Sequence, residues 1–287
     1  MTVPMHADEL AIDDVLVRRL VREQFPEWAG LPLARVEPWG TVHALYRLGD
    51  ELALRLPRRA QWSDADHLVA RWLPVFAPAV PLAIPVPVAQ GGPSDGYPCH
   101  WTVCSWIDGE DGVRASCEPL AAARGLAAFV AALQRVDAAG GPTARDRLAA
   151  RDDDVRATIA QMGSRAVEVW EEALAVPEWD GPPVWSHGDL DARNWLVRDG
   201  RIVGIVDWDS FGVGDPAADV MVAWKLHSAE AATVFRETLG VDDATWARAR
   251  GWTVSQAAMA LTYYTRENNA ALVGEAERWL ELVLETG

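Results

Sequence analysis

Cysteine is scarce in this sequence: Cys99, Cys104 and Cys117 are the three among 287 residues. An odd, low count without metal-ligand spacing excludes a disulfide framework and a cysteine-based zinc site. It fits free thiols in a reducing compartment, so the expected location is the cytoplasm. Positive charge is short too, with 26 Lys and Arg against 42 Asp and Glu and a formal net charge of -16. Binding a phosphate backbone needs clustered cations, so no nucleic-acid partner is expected. A field of this sign attracts cations, although an acidic surface also serves plain solubility. Residues 1–10 include Asp8 and Glu9 and lack an apolar run, so no signal peptide is expected. The most apolar long stretch, 68–89, contains Arg71 and five prolines. Prolines at that density break a spanning helix, so no membrane partner is expected. Repeats and low-complexity tails are absent.

What is present reads as a globular chain. Half the residues are hydrophobic, and the length suffices for two lobes with separate cores. Residues 13–25 carry Val17, Leu20 and Val21 at helical spacing. Residues 45–56 alternate around Gly49-Asp50 as a hairpin. Ser63 and Asp66 resemble a capping box opening a helix that runs to about Leu73, where Pro74 stops it. Residues 81–89 and 101–107 read as extended. Beyond Asp108-Gly109 the texture turns helical, over 119–136 and from the Asp152-Asp153-Asp154 cap to about Leu174. Gly181-Pro182-Pro183 follows as a break. Strands over 195–197 and 202–206 flank Asp199-Gly200. Helices follow over 217–226 and 245–264, and Asn268-Asn269 breaks the chain before a last helix to Leu284.

The chemistry concentrates in His187-Gly188-Asp189-Leu190-Asp191-Ala192-Arg193-Asn194, followed after an apolar strand by Asp207-Trp208-Asp209. Phosphoryl transfer needs a carboxylate to orient the attacking hydroxyl and hard oxygen ligands to hold Mg²⁺ on the phosphates. An Asp with an Asn five positions later on a tight loop can do both. A second Asp delivered by the adjacent hairpin completes the metal set.

This pattern resembles the catalytic core of the aminoglycoside-phosphotransferase family. The similarity extends into Gly214-Asp215-Pro216-Ala217-Ala218-Asp219 and, upstream, over 40–57. The resemblance implies an α+β, bilobal, protein-kinase-like fold. Residues 1–104 would form a small, β-rich nucleotide-binding lobe, 105–108 a hinge, and 109–287 a larger, mainly helical catalytic and acceptor lobe. It implies a small-molecule kinase moving the γ-phosphoryl group of ATP or GTP, with Mg²⁺, to a hydroxyl of an aminoglycoside-like or other acceptor. By position, Asp189 resembles the catalytic Asp, and Asn194 and Asp207 the metal ligands. Gly40, Thr41 and His43 stand at the nucleotide loop. Arg55 stands where the kinase fold has its phosphate-pairing Lys, and Ser105 and Trp106 stand in the hinge. His187 braces the loop, Asp215 and Asp219 cap or brace their surroundings, and Asp209 is a further candidate for metal or substrate. Asp191, Tyr263 and Glu267 are candidate liners of an acceptor cleft formed by 119–136 and 245–284, and the acidity favours a cationic acceptor.

Two positions depart from the family pattern. His43 stands where Asn or Ser is common. The helix position that usually holds a Glu is Val69, so the partner of Arg55 is missing, or is Asp66 or Asp64. Alternatives are a nucleotide-binding pseudokinase, a kinase of a metabolite such as a sugar or amino alcohol, or a phosphatase using Asp207-Trp208-Asp209. That last motif lies too late in the chain for a doubly wound phosphatase. Asp-Phe-Gly and Ala-Pro-Glu are both absent, which argues against a protein kinase.

Overall fold

The computed structural model describes residues 8–37, 42–63, 66–144 and 147–286. Two compact units emerge, Met1–Pro78 with Ala83–Asp108, and Ala79–Leu82 with Gly109–Gly287.

The first unit contains α1 (Asp14–Gln24), β1 (Leu33–Arg35), β2 (His43–Leu48), β3 (Leu52–Pro57), α2 (Asp66–Phe76), β4 (Pro87–Gly91) and β5 (Trp101–Ser105). The strands form one antiparallel sheet in the order β1-β2-β3-β5-β4. Asp13 caps α1 by accepting from the Leu16 amide at 2.8 Å. The apolar stripe of α1, Leu16, Val17, Leu20 and Val21, packs with Ala44, Tyr46, Leu54, Leu56 and Val103 of the sheet. Gly49 takes φ +61° in the β2–β3 turn, a conformation that favours glycine. Contrary to the expected stop at Pro74, α2 continues to Phe76. Pro74 removes one hydrogen bond of the last turn, while Leu73 and Phe76 are fully buried and hold that turn in place.

The second unit contains β6 (Glu110–Asp111), α3 (Pro119–Gln134), α4 (Asp152–Ile159), α5 (Ser164–Ala175), β7 (Val184–Ser186), β8 (Trp195–Arg198), β9 (Arg201–Ile205), β10 (Gly212–Gly214), α6 (Ala217–Val220), α7 (Val222–Lys225), α8 (Ala229–Leu239), α9 (Asp243–Tyr263) and α10 (Arg266–Glu285). The helix expected from Asp152 to about Leu174 is two helices, because Gly163 adopts φ +109° between them. Asp152 caps no amide there; it accepts from the Trp170 indole at 2.7 Å and pairs with Arg156. The expected 217–226 helix is likewise two short ones. The Asn268-Asn269 break is a kink at Asn269, with φ -155° and ψ 69°. Helix α8 was not foreseen, although Ser228 caps it and Gly240 closes it at φ +74°.

α9 is the centre of this unit. It packs against α4, α5, α6 and α10 and is buried on nearly every side from Thr245 to Ala258. Its buried polar side chains meet partners on other segments: Arg248 with Asp215, Arg250 with Glu172, and Gln256 with Asp189. Among the described residues no helix is long and apolar enough to cross a membrane.

Candidate active site

The segment around Asp189 runs from β7 into β8, and four constraints fix its shape. β7 pairs with β10, Ser186 opposite Gly212, which draws the 207–211 loop against the start of the segment. Gly188 takes φ +81°, and a Cβ there would lie 2.4 Å from the Ser210 carbonyl oxygen, so only glycine fits. The fully buried Asp219 carboxylate accepts both the His187 amide at 2.7 Å and the Gly188 amide at 2.8 Å. Val206 donates its amide to the Asn194 carbonyl at 2.8 Å, so the β8–β9 hairpin returns Asp207 beside Asn194.

His187 is fully buried, and burial holds its imidazole pKa below the usual value against the pull of Asp219 and Asp189. The ring is therefore neutral. Its Nε2 donates to the Val206 carbonyl at 3.1 Å and its Nδ1 accepts from the Asp189 amide at 3.3 Å. Both nitrogens are spent on backbone, so His187 braces the loop and shuttles no proton.

Asp189 and Asp191, two residues apart, have opposite environments. The Asp189 side chain is 25% exposed. Its Oδ1 accepts from Gln256 Nε2 at 2.8 Å, its Oδ2 from Asn194 Nδ2 at 3.2 Å, and Arg193 Nη2 lies 3.8 Å from Oδ2. Asp191 is 0% exposed. It holds the Arg193 guanidinium in a two-pronged pair through Nε, at 3.0 Å, and Nη2. Asp191 therefore lines no open surface, a correction to its expected place beside an acceptor: its charge is spent on Arg193. Burial lowers the Arg193 pKa, but Asp191 and then Asp189 and Asp207 outweigh it and raise the pKa above the ordinary value.

Asn194 and Asp207 suit a hard cation. The Asn194 amide nitrogen donates to the Asp189 carbonyl at 2.8 Å and to its carboxylate, which turns Oδ1 away from both. Asp207 is exposed and held at φ +62°, a conformation unusual for an aspartate and associated with functional sites. One amide oxygen and one carboxylate form an oxygen-only donor set, which fits Mg²⁺.

In the first unit, Arg55 on β3 meets Asp66 in the first turn of α2, with Nη2 3.5 Å from Oδ1. His43 bridges them, its Nδ1 3.3 Å from Arg55 and its Nε2 3.2 Å from Asp66. Burial pushes the Asp66 carboxyl up, but Arg55 and the hydrogen bond from His43 outweigh it and hold the pKa below the ordinary value. The partner sought for Arg55 is thus Asp66. Val69, one turn on, is 1% exposed and belongs to the core. His43 is buried in this trio. Gly40, Thr41 and Asp64 lie outside the described residues.

At the expected hinge, the Ser105 and Trp106 amides are engaged. The Ser105 amide donates to Val86 at 2.8 Å and the Trp106 amide to Glu51 at 2.7 Å. The Ser105 hydroxyl accepts from Val86, and the Trp106 indole donates to Asp108. Neither backbone donor is free to read a nucleobase. Asp215 caps the following helix through the Ala217 amide and pairs with Arg248 at 2.7 Å. Tyr263 is 59% exposed at the end of α9, and Glu267 is exposed in the first turn of α10.

The sequence matches the family model described as "Phosphotransferase enzyme family" over residues 37–252. The chain belongs to the phosphotransferase enzyme family. An aminoglycoside 3'-phosphotransferase of Escherichia coli is 34% identical over 62 residues, 22% of this chain and 23% of that protein. A viomycin phosphotransferase of Streptomyces vinaceus is 53% identical over 38 residues, 12% of this chain and 13% of that one. The chain thus matches under a quarter of the length of these curated relatives. Among solved structures, the GDP and kanamycin complex of APH(2")-IIia aligns with a TM-score of 0.71 at 17% identity, covering 95% of this chain and 98% of that one. That likeness shows the fold, the protein-kinase-like α+β architecture expected from the sequence. Two side chains of this phosphotransferase family member escaped the sequence reading. Arg193 lies inside the motif, at a position that offers no pattern to read. Gln256 lies in an alanine-rich helix with nothing local to mark it.

Proposed function

We propose that this chain transfers the γ-phosphoryl group of ATP or GTP to a hydroxyl of a small-molecule acceptor. The observation that carries this reading is Asp189: a partly open carboxylate, held at both oxygens, on the loop that delivers Asn194 and on to Asp207. Asp189 orients the acceptor hydroxyl and takes its proton as the bond to phosphorus forms. Asn194 Oδ1 and the Asp207 carboxylate would hold Mg²⁺, which when bound neutralises charge on the phosphates. The Arg193 guanidinium, anchored by Asp191, adds fixed positive charge beside Asp189.

The first unit is assigned to the nucleotide. The chain has a single lysine, Lys225, fully buried on α7 in the second unit. The phosphate-contacting cation in the first unit is therefore an arginine, and Arg55, paired with Asp66, is the candidate. This intact pair weighs against a pseudokinase. With the Ser105 and Trp106 amides engaged, base recognition falls to the carbonyls of this segment and the neighbouring Ile107 backbone.

The acceptor is assigned to the second unit and to cations. Tyr263 lies seven residues after Gln256, on the same face of α9 and about 10 Å further along it. Glu267 follows at the start of α10. The net charge of -16 draws polycations toward such a surface, and kanamycin, bound in one structural relative, is a natural probe. The proposed setting is the cytoplasm, consistent with the free thiols of Cys99, Cys104 and Cys117.

The first test is ADP or GDP release over a panel of kanamycin, viomycin, sugars and amino alcohols, with each donor. Turnover is expected to be highest on a polycation; release independent of every acceptor contradicts the reading. Calorimetry tests the metal: Mg²⁺ tightens ATP binding to the native protein, and Asn194→Ala and Asp207→Ala each abolish that tightening. An unchanged Mg²⁺ effect in both places the metal elsewhere.

A further inference from the structure

We infer that Gln256 is a positioning residue for phosphoryl transfer, holding Asp189 in the orientation the acceptor hydroxyl meets. This rests on the kinase reading above and adds a residue to it. The Gln256 amide donates through Nε2 to Asp189 Oδ1 at 2.8 Å from 67 positions along the chain. Gln256 is 8% exposed, and its Oε1 is buried with no hydrogen-bond partner among the described residues. A glutamine packed only for structure turns its oxygen toward a donor, because a buried unsatisfied acceptor is costly. Here the amide points its nitrogen at the carboxylate, the one end that can bond to it, and its oxygen is left without a protein partner.

The support is rigid. The neighbours Thr253, Val254, Ser255, Ala257 and Ala258 are each nearly or wholly buried, and α9 is the helix around which the second unit packs. A side chain fixed on such an element places its partner more exactly than one on a loop. Asn194 reaches the other Asp189 oxygen from the same loop and moves with it; Gln256 ties that loop to the core. A neutral donor restrains the carboxylate without adding a second cation to Arg193, whose Nη2 lies 3.8 Å from Oδ2. Gln256 lies beyond the stretch matched by the family model, which ends at 252.

The test uses the full-length protein, Mg·ATP or Mg·GTP, and kanamycin as the probe acceptor, with viomycin as the second probe. Gln256→Leu fills the same space and removes both the donor and the orphaned oxygen. Turnover should fall about 10- to 100-fold, the scale of a misplacement near 1 Å. KM for donor and acceptor should stay within about threefold, and Tm should stay equal or rise. Gln256→Glu keeps the shape but sets a carboxylate against Asp189, and turnover should fall at least as far. Turnover within twofold of the native value in Gln256→Leu overturns the inference. So does a loss carried by KM, or one matched by a fall in Tm. A second readout needs no turnover: the Gln256 side-chain amide resonance should lie downfield and lose that shift in Asp189→Ala. An unmoved resonance overturns the inference even if the protein phosphorylates neither probe; a shifted resonance without any turnover leaves the contact standing and counts against the kinase reading instead.

Discussion

Two charged clusters, one in each unit, show how the same residue types serve different ends. In the first unit, Arg55, Asp66 and His43 are each less than a tenth exposed and lie within 3.2–3.5 Å of one another. In the second, Asp191 is wholly buried against Arg193, while Asp189 stays a quarter open. The first cluster pairs a buried arginine with a buried carboxylate and links β3 to α2. The second spends one carboxylate to anchor a cation and leaves another available for chemistry. Burial separates these roles where residue identity does not.

That contrast can be broken by mutation. The largest stability effect is expected at Asp66. Asp66→Ala leaves Arg55 buried without its carboxylate, and losing one partner of a buried pair costs about 3–5 kcal/mol. Urea denaturation should show that loss, together with weaker Mg·ATP binding. A change under about 1 kcal/mol would mean the trio is solvated in solution.

A smaller effect is expected at His187 and has a defined sign. Burial lowers the folded pKa of His187, while an unfolded histidine takes up its proton near pH ~6.5. Below that pH the unfolded chain binds the extra proton, so the contribution of His187 is complete above about pH 6.5 and is lost as pH falls through and below it. Unfolding free energies from pH 8 to 5 should drop more steeply for the native protein than for His187→Gln. Parallel curves would show that the ring titrates freely. Asp66 has the other sign of shift, with its folded pKa below the ordinary value. Its contribution holds above pH ~3.9 and fades as pH falls through the lower folded value.

The smallest effect concerns salt. If acidity steers a polycationic acceptor, KM for that acceptor should climb several-fold as the Debye length falls from about 10 Å at 0.1 M salt to about 3 Å at 1 M. Saturated turnover should move less, and Glu267→Gln should flatten the climb. A flat KM would leave the charge of -16 as a solubility feature.

The second unit's site was largely legible in the sequence because its parts are local. Asp189, Asn194 and Asp207 fall within 19 positions, and the glycine, the turn and the hairpin that shape them sit in the same stretch. Asp219 was readable as a brace from the Gly214-Asp215-Pro216-Ala217-Ala218-Asp219 run, although its contacts to His187 and Gly188 span 32 and 31 positions. Gln256 was not readable, because its contact spans 67 positions and α9, buried on nearly every side from Thr245 to Ala258, has no amphipathic period there to show which face meets what. The fate of Asp191 was also hidden: residue type and spacing are those of a cleft carboxylate, and the Arg193 side chain alone reverses the reading. In the first unit, counting along α2 pointed to Val69, but helix geometry puts Asp66 one turn earlier on the same side, opposite Arg55. Helix α8 was missed although Ser228 and Gly240 bracket it with ordinary cap signals. Gly163 looked tolerable inside a helix until its φ of +109° ended one.

The central claim is that Asp189 directs phosphoryl transfer while the rest of the site stays intact. Its most direct test is transfer of γ-labelled phosphate from ATP or GTP to kanamycin or viomycin, native protein against Asp189→Asn, at saturating substrates. The account predicts a labelled, phosphorylated acceptor with the native protein and a roughly 10²- to 10⁴-fold loss in the variant, with Mg·ATP affinity and Tm nearly unchanged. A variant that keeps more than about a tenth of native transfer would contradict it.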